Sequence, residues 1–210
     1  MTSIPITRTP VPEAKAAAIR AAVAGATSLG PDSGASRLAT LEDAAAFHEF
    51  LSNPQIHAPI YTLPRPLTVD SVRAFIAGHQ REREQGTGLL FLTIDELGRI
   101  SGYSDLCLWP EWAAGELGGA LHPDRQGQRR GVEGARQSFG WMFESLGLDL
   151  ICETASLDNH RTAHLLDGLG FRRMGEITSQ RADGTTRPSL VWELTRAEWQ
   201  AKHGTPPLLP

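Results

Sequence analysis

Apolar residues recur along this chain with two different periods, and the changes of period divide it into elements. Val132, Ala135, Phe139, Met142, Phe143 and Leu146 fall three and four positions apart, the spacing of one helix face. Leu41, Ala44, Ala45, Phe47 and Leu51 keep roughly the same spacing, and a further helix is predicted through VRAFIAGHQRERE, with Thr68 or Asp70 as its cap. From Gly88 the period shortens. GLLFLTI, RISGYSDLCLW and AAGELGGALHP read as three consecutive strands joined by ELG and PEW turns, an antiparallel meander. Beyond the helix at 132 come the strand LDLICETAS, the helix RTAHLLDGLG, the strand FRRMGEITS, a polar loop QRADGTTRP and the strand SLVWELT. With a short strand in SRLATL, the order is β-α-α-β-β-β-α-β-α-β-β, which predicts an α/β domain with a mixed, mostly antiparallel central sheet flanked by helices.

The segment ahead of this domain has a different character. Alanine-rich PEAKAAAIRAAVAGA predicts a helical arm, because Glu13, Lys15 and Arg20 interrupt any signal-like apolar run. SLGPDSGAS then breaks the chain. The expected division is an arm and linker over 1–36, the main domain over 37–200 and a fraying tail over 201–210. The arm offers a surface for a homodimer contact or for a lid, and its alanines choose neither.

Charge and cysteines narrow the function classes. With 20 basic against 24 acidic residues the net charge is −4, which argues against a nucleic-acid partner held by broad phosphate neutralisation. No apolar run approaches the ~20 residues that cross a bilayer, so no membrane association is expected. Cys107 and Cys152 lack both CxxC spacing and histidine partners. They read as buried thiols in a reducing, cytoplasmic setting, and no metal site is indicated.

One stretch concentrates positive charge. RQGQRRGVEG places three arginines and three glycines in ten positions just before a helix. Unpaired N–H groups and the positive dipole end at a helix start stabilise an anion, phosphate above all, and Arg125, Arg129 and Arg130 add charged donors. The stretch matches neither GxxxxGK[ST] nor GxGxxG, so taken alone a solvated basic turn explains it equally well.

The surrounding segments ELGGALHP, QGQRRG, VEGARQSF, LGLDLICETASLDNHRTAHLLDGLGFRRMGE and SLVWELTRAEW resemble the GNAT N-acetyltransferase superfamily, in particular its ribosomal-protein-alanine N-acetyltransferase-like branch. The likeness spans Arg37 to Trp199, by motif in the second half and by element order in the first. It implies a GNAT-like acyl-CoA N-acyltransferase fold and acetyl-CoA as co-substrate. It also implies a coenzyme site at Leu121, Gln126, Gly127, Gln128, Arg129, Arg130, Gly131 and Asn159. The implied acceptor is a small-molecule amine or a protein N-terminus, in a pocket built by the first-half helices and the loop around Arg181 to Arg187. One departure stands out: the central glycine of the family's loop falls on Arg129, whose side chain must turn from the pyrophosphate or replace backbone contacts with its own. A shifted register over Gln128 to Gly131 restores the glycine at the cost of two extra loop residues. The departure keeps open a non-catalytic coenzyme-binding or regulatory protein on the same fold.

An amine must be neutral to attack a thioester, so a base is useful. Glu116 is the candidate, acting through water; its other reading is an edge-strand carboxylate facing solvent. Asn159 is a natural helix N-cap, and the resemblance adds a pantetheine contact. Thr162 and Leu166 follow on the same helix face, and Leu166 stands where many GNAT enzymes carry a tyrosine that protonates the leaving thiolate. A thiol of pKa about 8.5 leaves without a strong acid, so Thr162 through water, or solvent, suffices. A backbone N–H near Leu121 is the expected oxyanion donor. His122 and His164 read as structural or exposed, and Trp109 and Trp112 as either pocket border or core.

Overall fold

The computed structural model describes residues 4–30, 36–125, 130–181 and 183–204. Seven strands form one sheet: β1 (Ser36–Leu38), β2 (Gly88–Ile94), β3 (Ile100–Trp109), β4 (Ala114–Leu121), β5 (Leu150–Ser156), β6 (Arg172–Gln180) and β7 (Thr186–Thr195). Their order is β1-β2-β3-β4-β5-β7-β6, antiparallel throughout except between β4 and β5. The helices are α1 (Glu13–Gly25), α2 (Ala44–Leu51), α3 (Pro54–His57), α4 (Val69–Gln85), α5 (Arg130–Glu144), α6 (His160–Leu169) and α7 (Arg196–His203). The meander that the periodicity predicts is present as β2, β3 and β4, and the whole sheet is mixed and mostly antiparallel, as expected.

Three differences from the sequence reading have local causes. Helix α7 replaces a strand tail, because Thr195 opens a capping box: its hydroxyl accepts from the Glu198 N–H at 3.3 Å while Glu198 accepts from the Thr195 N–H at 2.9 Å. The polar loop after β6 shrinks to 181–185, since both strands continue into it with one side turned to water. The single-turn α3 is too short for any period, and starts at Asn53, whose side chain accepts from the Gln55 N–H. At α4 the cap is Thr68, exchanging bonds with Ser71 at 2.9 and 3.0 Å.

The sheet is apolar on both faces. On one, Phe91, Leu106, Ile151 and Trp192 meet α1, α5, α6 and α7 through Ile19, Val23, Phe139, Met142, Phe143, Leu166 and Trp199. On the other, Leu90, Leu92 and Tyr103 meet Phe47 and Leu51 of α2 and Val72 and Ile76 of α4. The apolar stripe of α5 begins at Ala135, since Val132 is 49 % exposed. The stripe of α1 is buried within the chain at Ala16, Ile19 and Val23. Ahead of α1, the Ile6 and Thr7 N–H groups donate to the buried Glu193 carboxylate at 2.7 and 2.8 Å, and Ile4 joins Trp109, Cys152 and Val191 in a third cluster. Core packing thus accounts for Trp109. Of the two cysteines only Cys152 is buried; Cys107 is exposed, correcting the expectation of two buried thiols.

Within strand β4, Gly119 has a φ of +145°. A Cβ there would stand 2.3 Å from the Tyr103 carbonyl oxygen on β3, closer than any side chain tolerates. Gly119→Ala is therefore expected to lower unfolding free energy by about 1–3 kcal/mol, read from denaturant midpoints; an unchanged midpoint contradicts a close approach of β3 and β4 that requires this glycine.

Candidate active site

Strands β4 and β5 pair only through Ala114↔Leu150 and Gly115↔Ile151. Beyond that point β4 stays with β3 as far as Leu121, and β5 stays with β7 as far as Ser156, so the two strands part. Two side chains cross the opening where the ladder stops. The Thr154 hydroxyl donates to Glu116 Oε1 at 2.7 Å, and the Leu117 N–H donates to Glu153 Oε1 at 2.9 Å. Because side chains alternate along a strand, Glu116 and Glu153 serve opposite faces of the sheet.

Both carboxyls are held away from their ordinary charge state. Glu116 keeps some accessible surface but is surrounded by protein, and desolvation pushes it up to about 7 against the Thr154 hydrogen bond, with Asp105 adding to the rise. This replaces the edge-carboxylate reading with a half-buried group that titrates near neutrality. Burial, with Glu116 nearby, pushes Glu153 well above the glutamate range despite the Leu117 N–H. On the Glu116 face, His79 Nε2 lies 2.8 Å from Asp105 Oδ1 and its Nδ1 lies 3.0 Å from the Phe75 oxygen. Burial opposes charge on this imidazole, yet the Asp105 carboxylate lifts it to about 9, so a His79–Asp105 ion pair persists at neutral pH. The Cys107 thiol, exposed by area but crowded at its sulfur, is pushed up to about 12 by desolvation and then by Glu116 and Asp105, which makes it a poor nucleophile.

The other expected residues are spread over the end of β4 and the starts of α5 and α6. Asn159 caps α6, its Oδ1 accepting from the Thr162 N–H at 3.1 Å, and Thr162 sits half-buried on the first turn. Leu166 points into the core, 1 % exposed. Leu121 ends β4 five residues beyond Glu116, about 16 Å at ~3.3 Å per residue, so its N–H does not serve a carbonyl placed beside Glu116. The gap-facing N–H nearest Glu116 is that of Leu117, which already donates to Glu153. Arg130 and Gly131 open α5, whereas Gln126, Gly127, Gln128 and Arg129 lie outside the described residues. His164 is exposed, and His122 accepts from the Asp124 N–H at 3.3 Å. Cavities of 170 Å³ beside His79 and Leu38 and of 410 Å³ beside Trp141 and Ala22 are not lined by Glu116.

Sequence reasoning missed Thr154, Glu153 and the His79–Asp105 pair. A signal existed for one: Glu153 sits in LICETAS, whose flanking residues Ile151, Cys152 and Ala155 are apolar on both faces. A lone acid in a doubly buried strand marks a special environment.

The family model for the acetyltransferase (GNAT) domain matches residues 37–172. No curated protein matches the sequence. Solved structures similar in fold include a ribosomal-protein-S5-alanine acetyltransferase from Vibrio fischeri, with TM-score 0.65, 19 % identity, and coverage of 78 % of this chain and 93 % of that one. Mycobacterium smegmatis RimJ in complex with CoA-disulfide gives TM-score 0.65 at 20 % identity, over 78 % and 82 % of the two chains. A spermidine N-acetyltransferase from Vibrio cholerae in complex with CoA and spermine gives TM-score 0.63 at 16 % identity, over 78 % and 96 %. The chain belongs to the GNAT acetyltransferase family, whose chemistry is acetyl transfer from acetyl-CoA to an amine. Among the described residues no helix is long and apolar enough to cross a membrane, and no group of three or more metal-ligating side chains occurs.

Because folded Glu153 holds its proton to higher pH than the unfolded chain does, its stabilising contribution is complete below the glutamate range and declines as pH rises above it. Glu153→Gln keeps an acceptor for the Leu117 N–H and removes that titration. Its stability is expected to fall less than the parent's between about pH 5 and about pH 8, measured by chemical denaturation; parallel pH curves contradict the buried-acid account.

Proposed function

We propose that this chain transfers the acetyl group of acetyl-CoA to a primary amine, of a small molecule or a protein N-terminus, by direct attack in a ternary complex, with Glu116 as the base. The observation that carries the reading is a carboxyl lifted to about 7 at the apex of the β4–β5 opening. A base of that strength is half ionised near neutral pH, close to an α-amino group at about 7.7–8.0, which is where proton acceptance is most effective. Glu116 takes the amine proton through a water, and the Thr154 hydroxyl fixes the carboxylate's orientation.

The residues present suit the coenzyme. Past Gly115 the β5-facing edge of β4 has no ladder partner, and such an edge pairs with an extended, amide-bearing chain. The Leu121 backbone, Gln126, Gly127, Gln128 and Arg129, the start of α5 at Arg130 and Gly131, and Asn159 would hold it. When bound, acetyl-CoA supplies the activated acyl group as a thioester. Asn159 keeps its amide nitrogen for the coenzyme, because only its oxygen is engaged by the cap. With Leu166 in the core, the proton for the leaving sulfur comes from Thr162 through water or from solvent. No metal enters this reading.

The test is thiol release across a panel of amines. For an accepted amine, Glu116→Gln is expected to lower kcat by about 100-fold and to remove the acidic limb of the pH profile near pH 7, where parent activity rises as the carboxyl ionises. Stabilisation by acetyl-CoA in a thermal shift should survive the substitution, since binding does not use the carboxylate. An unchanged rate and profile would remove Glu116 from the mechanism while leaving transfer itself intact.

A further inference from the structure

The loop over 57–66, between α3 and α4, is tied to the β6–β7 hairpin by arginines from distant parts of the chain. Arg181 Nη2 donates to the Ala58 oxygen at 3.0 Å and Arg187 Nη1 to the Pro59 oxygen at 2.8 Å, while within the loop itself Arg65 Nη2 donates to the His57 oxygen at 2.9 Å. The Arg181 and Arg187 guanidinium carbons lie 3.9 and 4.0 Å from the centre of the Tyr61 ring. Carbonyls and a ring are neutral partners, so none of this cancels the charge. Among the described residues none of the three arginines forms an ion pair. The Nε atoms of Arg65 and Arg181 are buried with no hydrogen-bond partner. Burial, followed by the charge of Arg181, pulls Arg65 below the usual guanidinium value; burial also lowers Arg187, with Arg181 adding to the fall against Tyr61. Asp183 and Asp158 act on the cluster only through space. Three cations gathered with so little compensation are costly unless an anion completes them.

The cluster shares a sheet face with Glu116. The Thr154 side chain reaches Glu116, Ser156 is two residues on and lies opposite Ser189, and Arg187 is two residues before Ser189 with its Nε 3.3 Å from the Ser189 hydroxyl. That path along two strands puts the arginines roughly 10–15 Å from Glu116 across the same floor. The roof is continuous as well, since Thr62 of the loop lies 3.5 Å from Asp105 on the Glu116 face. Acid stands at one end of this floor and base at the other.

We propose that the arginine cluster of Arg65, Arg181 and Arg187 receives a carboxylate of the acceptor, so that the acceptor is a peptide N-terminus carrying an acidic residue about four positions in. The proposal rests on the acetyl-transfer reading for the amine end only. The span fits: an extended peptide covers about 10 Å between its first and fourth α-carbons, and an acidic side chain adds the remainder. The spare donors fit too, since among the described residues Arg181 Nη1 and Arg187 Nη2 make no hydrogen bond, and guanidinium groups match carboxylates in pairs. A polycationic acceptor would meet like charge at this end.

The test uses alanine-led tetrapeptide amides that differ only in the fourth residue, glutamate, glutamine or lysine. They are offered to the full chain with acetyl-CoA, with thiol release and, separately, calorimetric binding as readouts. The glutamate peptide is expected to exceed the lysine peptide by about tenfold or more in kcat/KM, a gap that shrinks as salt is added. Arg187→Gln and Arg181→Gln should each narrow it, and Arg181→Lys should restore part of it. Equal values for the peptides overturn the proposal. Should no peptide release thiol, the acetyl-transfer reading fails for peptides, and calorimetry decides the arginine site by itself. Tighter binding of the glutamate peptide upholds the site; equal or undetectable binding overturns it.

Discussion

The parting of β4 from β5 is the constraint on which the rest of this structure depends. Two ladder pairs hold the strands together, and then each follows its other neighbour, β4 toward β3 and β5 toward β7. A sheet that opens inside itself exposes backbone groups that would otherwise be paired, and such groups must find partners. Here side chains supply two of the partnerships at the apex, Glu116 with Thr154 and Glu153 with Leu117. Beyond the apex Gly119 takes a positive φ and lies so close to Tyr103 that only a residue without a Cβ fits. In the proposed reading, such an opening would give a long flexible cosubstrate a strand to pair with and bring its end to a carboxyl.

Electrostatics divides that opening by function. Glu116 lies on the α2 and α4 face, where Asp105, held by a charged His79, raises its proton affinity without bonding to it. Glu153 lies on the α5 and α6 face, and its more complete burial keeps it neutral. Two glutamates separated by one strand spacing thus differ because of how much protein surrounds each, and only the one with an accessible edge suits proton traffic. The arginines beside Tyr61 complete a floor whose ends carry opposite charge, which under the proposed reading would orient an extended acceptor as well as hold it.

Much of this was legible in the sequence, for identifiable reasons. The period change at Gly88 marked the meander, and the three-and-four spacing from Ala135 onward marked α5, because both are consequences of burying one face against a shared core. Asn159 and Thr68 announced their helices through capping chemistry that is local to the chain. Helix α7 went unseen because its capping box, Thr195 to Glu198, follows an apolar strand with no turn between them. Glu116 was legible as an acid on a strand, but its raised proton affinity comes from desolvation by the protein around it, set against the Thr154 hydrogen bond and helped by Asp105, 38 and 11 positions away, which no spacing rule encodes. Arg65, Arg181 and Arg187 meet only because the hairpin folds back over the α3–α4 loop, so their shared site has no sequence signature.

The central claim is that a glutamate at the apex of the β4–β5 opening exchanges its proton near neutral pH. The most direct measurement is a carbon-13 NMR titration of the glutamate side-chain carboxyls, with the Glu116 signal assigned by its loss in Glu116→Gln. A midpoint near pH 7 for that signal is the predicted result. A midpoint in the ordinary glutamate range, near about 4.3, would mean that the carboxyl is solvated and charged throughout, and would contradict the account.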